Sequence, residues 1–181
     1  GIYNYLTADT GTITGGDNAD YIEARSTNEL IINGGDGNDY YNVSFDNNRT
    51  ITDTAGDDDV LLLGANKADI SLIFNVKNDG NFADGNDKLT FTSNEKDIVI
   101  NDFDSIETIK TSDGYEIADL SQLKSDVVAW LSKDGSGGNG VADYNDVADA
   151  LTNGTTAVVE GLTGIFERSS GLGDENNSSR K

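Results

Sequence analysis

The chain has 181 residues, 35% of them apolar, enough for the core of one or two small domains but not for a large globule. Its 33 acidic residues against 12 basic give a formal net charge of −21, which argues against nucleic acid or anionic membranes as partners. With no Cys and no His, disulfides, thiolate zinc sites and Ser/His/Asp catalysis are excluded, and any bound metal must take oxygen ligands.

Twenty-one Gly with no Pro exclude collagen, and regularly placed aliphatic residues argue against plain disorder. The longest apolar runs, at residues 60–63 and 127–131, are too short to span a bilayer. A start at Gly1 and the absence of Met predict a fragment of a longer protein, and the N-terminus does not resemble a cleavable signal peptide.

In chain order, the first motif is GGDNADYIE at residues 15–23, and the second is GGDGNDYYN at residues 34–42. The second fits the nonapeptide GGxGxDxUx, a calcium loop followed by a short strand, at every defined position. A third copy at residues 54–59, TAGDDD, loses the leading glycines but gains carboxylates, and a fourth at residues 83–87, ADGND, keeps the core of the loop. The expected metal ligands are Gly15, Asp17, Asp20, Gly34, Gly35, Asp36, Gly37, Asp39, Asp57, Asp59, Asp84 and Asp87.

Between and beyond these loops, apolar residues recur at Ile22, Ile31, Tyr41, Ile51 and Leu61, then at Ile70, and after a polar insertion at Leu89, Ile98, Ile106 and Ile117. A spacing of nine or ten matches no helix. It predicts short strands with one inward residue each, two strands per coil of a parallel β-solenoid. Asp20, Asp39 and Asp59 each precede a ladder residue by two positions, so they should stack on one edge. The turns at residues 24–29 and 44–49 lack a glycine pair and should form a plain opposite edge. Asp87 falls on that other edge if the insertion stays in register.

The chemistry of the loop follows from its residue types. Glycines at positions one, two and four permit positive φ and turn carbonyl oxygens toward a common centre, and the sixth-position Asp adds a carboxylate. Asn18, in place of the fourth glycine of the first loop, is a residue type that tolerates the left-handed region. Coils about 4.8 Å apart would set stacked carboxylates repelling by roughly 3 kcal/mol at an effective dielectric of ~20. A divalent cation between them removes that penalty and ties coil to coil. Tyr21, Tyr40 and Tyr41 are read as strand packing rather than a stacking platform.

Beyond residue 118 the pattern changes. Leu120, Leu123, Val127, Val128 and Leu131 follow helical spacing, a second helix begins with Asp143 as N-cap and carries Val147 and Leu151, and a third runs through Val159, Leu162, Ile165 and Phe166. The Gly-rich stretch from Asp134 resembles an EF-hand loop only in part: Gly138 offers no ligand, and Asn145 stands where a bidentate Glu belongs, so a flexible linker is the competing reading. The fold class expected is mainly β, a right-handed parallel β-roll or solenoid with calcium loops over residues 1–118. A small α-helical C-terminal subdomain with a polar tail is expected over 119–181.

The loops at 15–23 and 34–42, with NDFDSIETIKT at residues 101–111, resemble the RTX (repeats-in-toxin) calcium-binding β-roll of bacterial proteins exported by type I secretion. The resemblance covers roughly residues 11–89, and only one repeat is perfect. It implies a roll that is disordered at cytosolic calcium, leaves through a one-step channel and folds outside, with early loop carbonyls joining the Asp as ligands. Calcium is then the cofactor, and the partners are the type I secretion machinery and, outside the cell, a surface glycan or further copies of the chain. The C-terminal region would be associated with secretion. The function expected is a non-catalytic calcium-binding module of a secreted surface protein, of surface-layer or adhesin type. The alternative is the same module in an RTX enzyme or toxin whose catalytic domain lies upstream. A carboxylate-based solenoid glycosidase or lyase would need its acidic pair on a strand face, whereas these Asp residues lie in turns.

Overall fold

A computed structural model describes residues 3–75, 88–101, 105–117 and 167–168. Seven short strands follow the ladder: β1 (Asn4–Thr7), β2 (Gly11–Thr14), β3 (Asp20–Ala24), β4 (Leu30–Asn33), β5 (Tyr40–Ser44), β6 (Arg49–Thr52) and β7 (Val60–Gly64). Each is four or five residues long because a turn interrupts the apolar alternation before a sixth can add. Odd strands pair in parallel with odd strands and even with even, so the chain winds between two facing sheets. The result is a parallel β-solenoid of about three turns.

Register aligns the core in columns. In one sheet Leu6, Ile22, Tyr41, Leu61 and Ile109 lie side by side, and in the other Ile13, Ile32, Ile51 and Ile100 do so. From Ile22 through Leu61 the inward members of both columns are fully buried. Each such side chain contributes about 1.5–3 kcal/mol relative to exposure. Ile31, expected in the ladder, is instead 52% exposed, and Ile32 takes the inward place. Leu30, Ile31 and Ile32 are consecutive and apolar, so alternation allows two of them inside. Alignment with Ile13 and Ile51 puts Ile32 there.

After β7 the expected parallel ladder gives way. A 3-10 turn at Lys67–Asp69, the only helical turn among the described residues, leads to β8 (Ser71–Asn75). Then β9 (Lys88–Ser93) pairs antiparallel with both β8 and β10 (Lys96–Ile100). Asn94 and Glu95, at φ 54° and 61°, form the tight hairpin that reverses the chain, an arrangement suited to two left-handed central residues. β10 lies parallel to β6, and β11 (Thr108–Lys110) parallel to β7, so the winding resumes after this excursion. β12 (Tyr115–Ile117) then turns back antiparallel on β11 and is joined by β13 (Glu167–Arg168). Leu89, Ile98, Ile106 and Ile117 are all buried as the ladder requires, but an antiparallel hairpin supplies part of that burial. The three helices expected after residue 118 and the Asp134 loop lie outside the described residues.

The two edges differ in chemistry. On the edge without glycine pairs, Arg49 is 1% exposed. Its guanidinium donates to the carbonyls of Ser26, Asn28 and Ser44 and to Ser44 Oγ, tying two successive turns together. On the outer face of the odd-strand sheet, the rings of Tyr5, Tyr21 and Tyr40 stack with centroids 5.9 and 5.4 Å apart. Tyr41 points the other way, into the core.

Candidate metal site

The glycine-bearing loops join even strands to odd ones, and each ends on the residue expected to carry the carboxylate. The Asp20 amide donates to Asp39 Oδ1 at 2.8 Å, the Asp39 amide to Asp59 Oδ1 at 2.7 Å, and the Asp59 amide to Glu107 Oε2 at 2.7 Å. Asn4 Nδ2 extends the row at its other end, donating to Asp20 Oδ1 at 3.1 Å. The expected stack of Asp20, Asp39 and Asp59 on one edge is therefore present, with each carboxylate of the second and later coils held by the backbone of the coil before it.

Other expected ligands divide by position. The sixth-position aspartates are 2%, 0% and 0% exposed, whereas Asp17 and Asp36 at the third position and Asp57 at the fourth face solvent. Asp84 and Asp87 lie outside the described residues. Gly35 and Gly37 have φ of 91° and 101°, as a tight carbonyl-presenting turn needs. Asn18 is absent from the positive-φ residues, so the first loop turns without the left-handed conformation expected of it. Gly15 and Gly34 matter for space instead: a side chain at Gly15 would collide with the Gly34 carbonyl, and one at Gly34 with the Tyr41 hydroxyl. The carbonyls of Gly16 and Gly35 already accept inter-coil amides, from Asp36 and from Thr54 and Ala55.

Asp20 is satisfied within its own loop, since its Oδ2 accepts from the Gly16 amide at 3.0 Å. Asp39 and Asp59 are not. Oδ2 of each is buried with no hydrogen-bond partner, and so is Oδ1 of Asp53, which is 4% exposed. One carboxylate oxygen from each of Asp39, Asp53 and Asp59 lies within 4.8 Å of the other two. The Gly37 carbonyl oxygen and the Asp59 carboxylate crowd the space that a side chain at Gly56 would fill.

Electrostatics register the strain. Burial raises the Asp39 carboxyl from 3.8 to about 7 against the Asp20 amide, which lowers it, with Asp53 repulsion adding to the rise. Burial likewise lifts Asp53 to about 6, against the Tyr41 hydroxyl that donates to it, and Asp59 to about 8, against the Asp39 amide. Burial, then the charge of Asp53, pushes the Tyr41 phenol upward. Three buried carboxylates in one place must be neutralised by protons or by a cation. Their all-oxygen donor set suits a hard cation.

Sequence reasoning missed Asp53, Glu107 and Tyr41 as members of this group. Asp53 stands in register with Gly15 and Gly34, at equal steps along the chain. Glu107 precedes Ile109 by two residues, as Asp20 precedes Ile22.

Fold and site together define a parallel β-solenoid with a buried acidic group competent to hold a metal. In comparisons with known proteins, no family model matches the chain, and no curated sequence or solved structure is similar enough to count as a match.

Proposed function

We propose that this chain is a non-catalytic calcium-binding module of a secreted bacterial surface protein, of surface-layer or adhesin type, which folds on meeting extracellular calcium after type I secretion. The observation that carries the reading is the set of unpartnered, buried carboxylate oxygens on Asp39, Asp53 and Asp59. A solenoid that keeps those groups ionised without a cation would carry repulsion at its centre. Calcium removes that repulsion and joins the second coil to the third. Burial of the carboxylates also favours a structural over a catalytic role, since acids this enclosed do not reach a polymeric substrate.

The magnitude suits a folding switch. Binding at 100 times the dissociation constant stabilises the native state by about 2.7 kcal/mol, a large share of the ~5 kcal/mol that holds a small domain. At sub-micromolar cytosolic calcium that contribution falls away for a site of micromolar or weaker affinity, leaving the chain unfolded and exportable. Far-ultraviolet circular dichroism across a calcium titration tests this reading. Strand signal should rise cooperatively with calcium and vanish with EGTA, and strand content unchanged by chelation would refute it.

A further inference from the structure

Asp53 lies outside the repeat that defines the aspartate row, and a different element delivers it. Asp39 and Asp59 immediately precede β5 and β7 in the odd-strand sheet, whereas Asp53 immediately follows β6 in the even-strand sheet. In the two preceding coils the same register holds Gly15 and Gly34, which bring no side chain to this point. The carboxylate of the third coil therefore enters from the opposite sheet and closes over the two that stack.

Its orientation is fixed as well. Tyr41, fully buried in the core column, donates its hydroxyl to Asp53 Oδ2 and so determines which oxygen remains. The remaining Oδ1 is buried and unpartnered, as are Oδ2 of Asp39 and Oδ2 of Asp59. Had the group been a satisfied network, these oxygens would accept from an amide or a hydroxyl, as both oxygens of Asp20 do.

We infer that Asp53 is the third carboxylate ligand of one interior cation site with Asp39 and Asp59, and that Tyr41 is the residue positioning it. The inference deepens the calcium reading and rests on it. It adds that the junction of the second and third coils is a distinct site rather than one of a series of equivalent loops. The ligand class is a hard, oxygen-seeking cation of calcium's size. Three oxygens within 4.8 Å of one another surround a point no more than about 2.8 Å from each, close to calcium's roughly 2.3–2.6 Å. Magnesium prefers about 2.0–2.1 Å and keeps several of its waters, which an enclosed site does not accommodate. Three carboxylates carry one negative charge more than calcium cancels, so a trivalent lanthanide of similar size should bind more tightly than calcium.

Terbium provides the probe, because Tyr41 sits beside the site and can sensitise its luminescence. The full chain should show terbium emission under tyrosine excitation, with a tight phase displaced by excess calcium and not by equal magnesium. Asp53→Asn should weaken that tight phase by more than about tenfold, while Asp9→Asn, an exposed acid in the turn between β1 and β2 on the opposite edge, should leave it unchanged. Tyr41→Phe should abolish most of the sensitised emission and weaken binding, measured by direct terbium excitation, by about tenfold. Because Asp53→Asn removes one of three clustered charges, it should retain more strand signal in EGTA than the parent, which separates loss of a ligand from loss of fold. A tight terbium phase unaltered by Asp53→Asn would overturn the inference. If calcium folds parent and variant with equal affinity, the calcium reading stands and this inference fails; if calcium neither folds nor binds the parent, both fail.

Discussion

A side chain at Gly34 would occupy the place taken by the hydroxyl of Tyr41. The first glycine of the perfect nonapeptide is therefore required by a core tyrosine of its own repeat, and not by backbone conformation. Gly34→Ala should displace Tyr41 and destabilise the calcium-loaded form by about 1–3 kcal/mol. Gly16→Ala, with no atom within 4 Å of the added carbon and no positive φ, should change stability by no more than about 0.5 kcal/mol. Urea midpoints of the two variants in saturating calcium check the contrast.

Adjacent isoleucines should behave as opposites. Ile32→Ala removes a fully buried side chain and should cost about 2–5 kcal/mol. Ile31→Ser, on the outward face, should fall within about 0.5 kcal/mol of the parent. Equal losses at the two positions would contradict the register.

The metal-free form should lose stability as pH rises. Asp53, Asp39 and Asp59 are raised to about 6, 7 and 8 from 3.8 in the folded state, so the native protein keeps protons that the unfolded chain has released. The stabilisation from these protons is complete below about pH 4 and is lost as pH rises through the folded-state values, the highest of them at about 8. Metal-stripped protein should thus keep more strand signal in circular dichroism at pH 5 than at pH 8.5. Calcium competes with the same protons, so its affinity should move the opposite way, stronger at pH 8.5. A metal-free strand signal that climbs with pH would show that these carboxylates are ionised in the native state.

The aspartate row was legible because Asp20, Asp39 and Asp59 recur at nearly one coil per step, and stacking follows from period alone. Asp53 was not, since the repeat places glycine at its register and a departure from a motif carries no signal of where its side chain goes. Glu107 escaped because a 48-residue excursion separates it from Asp59, and counting by nines loses phase across an insertion. The same excursion hid the antiparallel hairpin of β9 and β10, whose strands alternate like those of the solenoid. Among Leu30, Ile31 and Ile32, parity was decided by neighbours in other coils rather than by anything local.

Arg49 should be indifferent to calcium. Arg49→Met leaves three carbonyls and a hydroxyl without their donor, at a cost of about 3 kcal/mol at any calcium concentration that folds the chain. Arg49→Lys should recover only part of this, because one ammonium cannot span Ser26, Asn28 and Ser44 as the planar fork does. Thermal melts of both variants at two calcium concentrations, yielding parallel shifts, would bear this out; a shift present only in calcium would not.

The guanidinium is covalently part of the chain, and no change of medium can withdraw it. Its edge acts as a spine that stays bound, while the edge of Asp39, Asp53 and Asp59 is a clasp whose closure the surroundings decide. Loss of the ion should accordingly open the coils from one side, like leaves turning about their binding, with amide exchange appearing first beside the aspartates and last beside Arg49.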